Sequence, residues 1–157
     1  MTTPFEALRG TPNARQVLPA LITAGQPSPA QLAAFKAAGG AAVVDIRASF
    51  EPRGFNEAEA VHQVGLAYAN IPVGTGPLTT GLMEEILAAL RAHEGQPVLF
   101  HCASGNRTGG PLIAYLMLDH GLEEEDAIMV ATQAGLRSAE LLTWGVEYAR
   151  STARPEP

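Results

Sequence analysis

Three short apolar runs restrict the possible folds of this chain more than any other feature. AAVVDIR (41–47), LAYANIPV (66–73) and PVLFHC (97–102) are too short for stable helices, and each is followed by a segment with helix-start signals. Runs of this kind suit strands buried on both faces. An earlier run, VLPALITA (17–24), ends in the turn signal GQPSP and reads as a further strand or extended lead-in. The helix signals between them are equally local. Ser28, Pro29 and Gln31 form a capping box, and Gly39-Gly40 stops the helix they open, over 29–38. Asn56 with Glu59 opens a short helix ending at Gly65, after the loop ASFEPRGF (48–55). Thr79 or Thr80 caps a helix in which Leu82, Ile86, Leu87 and Leu90 recur at helical spacing through residue 92.

The segment after PVLFHC predicts a helix over 107–119, ended by Gly121. Acids at 123–126 favour the start of the next helix, and Ser138 caps a last one through about Arg150, before a frayed tail STARPEP. Strand and helix thus alternate four times before two closing helices. That order predicts a single-domain α/β fold with a core of about 16–150 and a mainly parallel sheet flanked by helices. Ligands in such sheets bind beyond the C-terminal ends of the strands, which points to Asp45, Arg47, the 73–79 loop and Cys102. Leu141, Leu142 and Trp144 read as core on the last helix.

A length of 157 residues with 46% hydrophobic residues is enough for one core. The net charge of −6, without a basic stripe, argues against nucleic acid or an anionic membrane as the main partner. Any anion chemistry must be local, and the expected partner is a small anionic substrate. One cysteine forms no internal disulfide, the N-terminus lacks leader features, and no apolar run reaches a membrane-spanning length; the expectation is a cytoplasmic protein. The sequence does not disclose the oligomeric state. His62, His93 and His120 are scattered without ligand spacing, so neither metal nor cofactor is expected.

The chemistry concentrates in FHCASGNRTGG (100–110). Its loop joins a buried strand to a helix N-terminus, where unpaired amides and the helix dipole favour an anion. Such a setting depresses the pKa of a thiol and makes Cys102 a candidate thiolate nucleophile. Ala103, Ser104, Gly105, Asn106 and Arg107 would line the anion pocket, with Gly105 allowing the amides to converge. Arg107 would clamp an oxyanion with its two-pronged guanidinium, and Thr108 would donate a hydrogen bond to the sulfur. His101 either helps polarise the thiol or points away into a structural hydrogen bond, since adjacent strand residues face opposite ways. The plainer alternative is that Cys102 fills space at a strand end.

HCASGNRTG resembles the signature loop of cysteine-dependent phosphatases: histidine, cysteine, a glycine three further on, then arginine and a hydroxyl residue before a helix. Those phosphatases have one more residue between cysteine and arginine than the four here, Ala103 to Asn106. Four is the spacing of rhodanese-like sulfurtransferases, whose tighter loop suits a persulfide. Over roughly 18–120 the chain resembles the phosphatase-like domain of beta-lactamase-hydrolase-like proteins, also described as a sulfur transferase family. Gln26-Pro27-Ser28 and the Cys102–Thr108 loop carry that likeness, which implies a compact relative of dual-specificity phosphatases. VVDIR also resembles the Asp-x-Arg strand end of rhodaneses.

A phosphatase acting on poor leaving groups needs a general acid, which the resemblance places on the loop upstream of the cysteine. Here that loop is IPVGTGPLTTGL, and no acidic residue occurs between Glu59 and Glu84. Asp45, Glu51 or Glu57 could substitute, although Asp45 also reads as a partner of Arg47 and the glutamates as solvated surface. Gln133 is a candidate for orienting water, or a plain helix-surface residue. Three readings therefore stand open: ester hydrolysis through a cysteinyl-phosphate, sulfur transfer through a Cys102 persulfide, and a non-catalytic anion-binding or thiol-redox module.

Overall fold

The computed structural model describes residues 2–48 and 50–152; Ser49 of the 48–55 loop and the expected frayed tail from 153 lie outside them. The short apolar runs form a five-stranded sheet in the order β1-β2-β5-β3-β4, made of β1 (Arg15–Leu18), β2 (Leu21–Ala24), β3 (Ala42–Asp45), β4 (Ala67–Asn70) and β5 (Val98–His101). All neighbours are parallel except β1 and β2. The fold is the expected α/β domain, with one correction at its start. Residues 17–24 are not one strand, because Pro19 lacks an N–H to continue a ladder and the chain reverses there, pairing Leu18 with Leu21.

The helices are α1 (Pro4–Ala7), α2 (Pro29–Ala37), α3 (Glu57–Gln63), α4 (Thr80–Arg91), α5 (Gly109–His120), α6 (Glu124–Gln133) and α7 (Ala139–Thr152). The predicted caps are made: Ser28 closes a capping box with Gln31, Asn56 accepts from the Glu59 amide, Thr79 from Leu82 and Ser138 from Leu141. Sequence reasoning passed over α1, although Thr3, Pro4 and Glu6 repeat the same box. α5 starts at Gly109 rather than 107, since Arg107 and Thr108 still belong to the turn that enters it. Among the described residues no helix is long and apolar enough to cross a membrane.

Side-chain alternation along the central strands divides the core into two layers. Ala42, Val44, Val98 and Phe100 pack with α4 to α7, and Leu141 and Trp144 join them as expected. Val43, Leu99 and Ile22 pack with Leu32 and Phe35 of α2 and Val61 of α3. Cys102 falls on the first side of this divide, whereas the ring of His101 meets Glu57 of α3 on the second.

Candidate active site

Beyond the C-terminal end of β5 the chain turns back over its own cysteine. Cys102 has no exposed surface, and its Sγ accepts a hydrogen bond from the Gly105 amide at 3.1 Å. Gly105 can make that turn because its φ is +94°, a conformation that side chains other than glycine rarely adopt. Thr108, expected to donate to the sulfur, instead donates to the Gly105 carbonyl at 3.1 Å, bracing the turn from behind. The amides of Ala103, Ser104, Asn106 and Arg107 find no acceptor among the described residues. A group of unpaired amides next to a helix N-terminus is a physical basis for holding an anion.

Contacts distant in sequence hold this loop. The Gln26 amide donates to the Ala103 carbonyl at 3.1 Å, and Gly25 lies so close that a Cβ there would sit 2.6 Å from the same oxygen. Asn13 donates to the Ser104 carbonyl at 2.5 Å. Asn106 turns its side chain outward to accept from the Arg137 and Ser138 amides, tying the loop to the α6–α7 turn. Gln133 is exposed, and its backbone carbonyl accepts from Arg15.

Arg107 reaches the loop between β3 and α3. Its Nη1 and Nη2 donate to the two oxygens of Glu51 at 2.6 and 2.7 Å, and Nη1 also donates to the Val73 carbonyl at 2.8 Å. These bonds occupy the end of the guanidinium and leave the Nε–H and the outer Nη2–H, which share one edge, for a planar pair of oxygens. The hydrogen bonding of Arg107 to Glu51 is the main cause that raises the guanidinium above its ordinary pKa. Arg107 in turn holds Glu51 down from 4.5 to about 2, outweighing the partial burial of the carboxyl; the Ala48 amide and Arg47 add to the effect. Glu51 is therefore neither a solvated surface residue nor a store of protons at neutral pH.

Asp45 is placed differently from the sequence reading. It has no exposed surface, and its carboxylate accepts from the Arg47 amide at 2.9 Å, Arg53 at 2.7 Å and the Tyr68 hydroxyl at 2.6 Å. Its ionic partner is Arg53, not the Arg47 side chain, and it points into this buried cluster rather than into the cysteine loop. Burial and the bond to Asp45 push the Tyr68 phenol up, so it remains a donor. Arg47 instead donates to Glu51 at 3.2 Å and to Gln26 Oε1 at 2.6 Å.

His101 donates or accepts at both ring nitrogens, Nδ1 lying 3.0 Å from the Cys102 carbonyl and Nε2 2.5 Å from Glu57. Ligand-type atoms of Asp45, Glu57 and His101 fall within 4.8 Å of one another. His101 is already hydrogen-bonded to Glu57, and the Arg53 guanidinium, paired with both Asp45 and Glu57, supplies the cation among them. Sequence reasoning considered Glu51 and Glu57 but missed their partners, and it missed Arg53 and Tyr68 altogether. The 71–79 loop lies against Arg107 through Val73, and it carries no acid.

Comparison with known proteins agrees with this architecture. A search of curated proteins finds no match. Among solved structures, a DUF442 protein from Shewanella putrefaciens CN-32 is 24% identical and superposes with a TM-score of 0.78 over 94% of this chain and 97% of its own. Human DUSP28 is 19% identical, with a TM-score of 0.70 over 91% of this chain and 97% of its own. A kinase associated phosphatase with its catalytic site cysteine changed to serine is 15% identical, with a TM-score of 0.71 over 87% and 89%. These likenesses establish a dual-specificity phosphatase type of fold. The family described as "Beta-lactamase hydrolase-like protein, phosphatase-like domain" matches residues 13–112, and by that match over most of its length the chain belongs to this family.

Proposed function

We propose that the protein hydrolyses phosphate monoesters through a cysteinyl-phosphate on Cys102. The observation that carries this reading is the sulfur enclosed by a loop with unpaired amides, beside an arginine whose free edge suits two oxyanion oxygens. In the first step the thiolate attacks phosphorus, an S–P bond forms, and the bond from phosphorus to the ester oxygen breaks. The amides of Ala103, Ser104, Asn106 and Arg107 and the Nε–Nη2 edge of Arg107 bind the non-bridging oxygens, whose charge they stabilise as the bond breaks. Water then attacks phosphorus, the S–P bond breaks, and inorganic phosphate leaves with the thiolate restored. Glu51 keeps the clamp in register and does not supply the proton for the leaving oxygen; solvent does.

Membership of a phosphatase-like family and the cysteine named as catalytic in a structural neighbour support this assignment. The sulfur-transfer reading rests on sequence features, the four-residue spacing, the acid-free 71–79 loop and the VVDIR strand end, and no relative named above favours it. The test is turnover of an aryl phosphate by the purified protein and by Cys102→Ser. The wild type is expected to release phosphate, to show a transient mass gain of one phosphoryl group at Cys102, and to lose both in the variant. Undiminished turnover in Cys102→Ser overturns the mechanism, as does a gain of one sulfur from thiosulfate at Cys102 in a protein without phosphatase activity.

A further inference from the structure

At the end of the sheet away from the cysteine loop, a cavity of about 300 Å³ opens between the β1–β2 turn, the chain joining α4 to β5, and the last residue of α5. That volume is at the lower end of small-molecule sites. Its apolar lining includes Leu21, Leu90 and Val98, all buried, and the half-buried Leu18. Its polar lining includes Glu94, with Tyr115, His93 and His120 beside it, and no lysine or arginine. The mechanism at Cys102 uses none of these residues.

Three observations give this cavity a charge preference. Glu94 is the first. One of its carboxylate oxygens accepts from the Tyr115 hydroxyl, and burial, followed by that bond, pushes the phenol up so that it stays a donor. The other oxygen, Oε1, lies 3.6 Å from His120 Nε2, beyond hydrogen-bond range, and keeps its capacity to accept. The His120 ring packs edge-on against Tyr115, with centroids 5.0 Å apart, so one tyrosine braces both the carboxylate and the imidazole next to it. Second, α4 and α5 both end here, and the negative ends of their dipoles favour a cation. Third, the guanidinium of Arg91, at the end of α4, is engaged elsewhere: Nε and Nη2 each donate to Asp119 at 2.7 Å, which also ties the two helix ends together.

We propose that this cavity is a binding site for a small apolar amine in its ammonium form. The hydrocarbon body lies against Leu18, Leu21, Leu90 and Val98, and the ammonium donates to Glu94 Oε1. An anion of the same size would meet a carboxylate and two helix C-termini, and a neutral molecule would leave the carboxylate to water. The site stands apart from the cysteine chemistry, and its test does not depend on turnover.

The test is a titration of the wild-type protein with 2-phenylethylammonium chloride at pH 8, where the amine is a cation and free imidazoles are mostly neutral. Methyl NMR signals of Leu21, Leu90 and Val98 report the occupancy. Saturable shifts of these methyls are expected, with phenylacetate and 2-phenylethanol, of matching size, binding about tenfold more weakly or less. Glu94→Gln, at a side chain more than half exposed, should fold, weaken the amine about tenfold and leave the alcohol unchanged, so that the preference for the cation disappears. Leu18→Trp should fill the apolar part and abolish saturation by amine and alcohol alike. Unmoved methyls, shifts confined to the cysteine loop, equal affinity for the amine and phenylacetate, or undiminished amine binding in Glu94→Gln each overturn the assignment. Should Leu18→Trp fail to fold, the three probes and Glu94→Gln still decide.

Discussion

At the C-terminal end of the parallel strands, Asp45 and Glu57 are almost wholly buried beside Arg53, and the buried His101 lies against Glu57. At the N-terminal end, a pocket of about 300 Å³ is lined by Leu18, Leu21, Leu90 and Val98, with Glu94 and Tyr115 at its polar side. Both ends carry a carboxylate, a histidine and a tyrosine. Tyr115 donates to Glu94 and His120 lies 3.6 Å from the same carboxylate, but the Glu94 side chain is 54% exposed whereas Asp45 is 0% exposed. Helix α5 links the two ends, with its N-terminus under the cysteine loop and its last residue, His120, at the pocket. Its dipole favours anions at one end and cations at the other. The contrast teaches that residue type alone does not distinguish the two ends; burial and charge pairing do.

The strongest way to break this contrast is to change the clamp. Arg107→Lys keeps the charge but loses the planar edge, and aryl-phosphate kcat/KM is expected to fall about 10²–10³-fold. Tyr115→Phe, at the opposite end, should leave kcat/KM unchanged; comparable losses in both would erase the distinction. Next is Gly25→Ala, whose methyl would meet the Ala103 carbonyl at 2.6 Å. It should cost about 1–3 kcal/mol in denaturant unfolding and lower turnover together with it. A variant with wild-type stability and activity would show that β2 does not brace the loop.

Acid titration probes the Glu51–Arg107 pair. Glu51 is lowered from 4.5 to about 2, so the stability it contributes is complete above about pH 4.5 and is lost as pH falls toward 2. Glu51→Gln should flatten that part of the stability profile. An identical acid limb in both proteins would assign it to other carboxylates. The smallest effect is expected at Ser28→Ala, which removes the α2 cap for about 1 kcal/mol of unfolding free energy and leaves turnover unaltered. That outcome separates support of the scaffold from support of the site.

Ser28, Asn56, Thr79 and Ser138 were legible because a cap is decided within four residues of chain. The position of the cysteine loop followed from strand order, which the apolar runs disclose. The ion pairs were not legible in this way. Arg107 and Glu51 are 56 positions apart and meet only once α5 and the 48–55 loop are both placed by the sheet. Asp45 appeared to belong to Arg47 through nearness in sequence, yet Arg47 leaves the strand toward Gln26 and Glu51, and Arg53 folds back to take its place. Thr108 has the right chemistry to serve the sulfur; the backbone turn at Gly105 brings an amide there first.

The acid-free loop over 71–79 bears on substrate choice. Without a side-chain proton donor, the departing oxygen must carry most of its developing negative charge itself, a handicap of about 10²–10⁴-fold for a basic alkoxide. Rates across a series of aryl esters should then follow a steep Brønsted line, falling as the parent phenol becomes a weaker acid. On the proposed mechanism, esters of acidic phenols or enols and acyl phosphates are expected to turn over faster than sugar or serine esters.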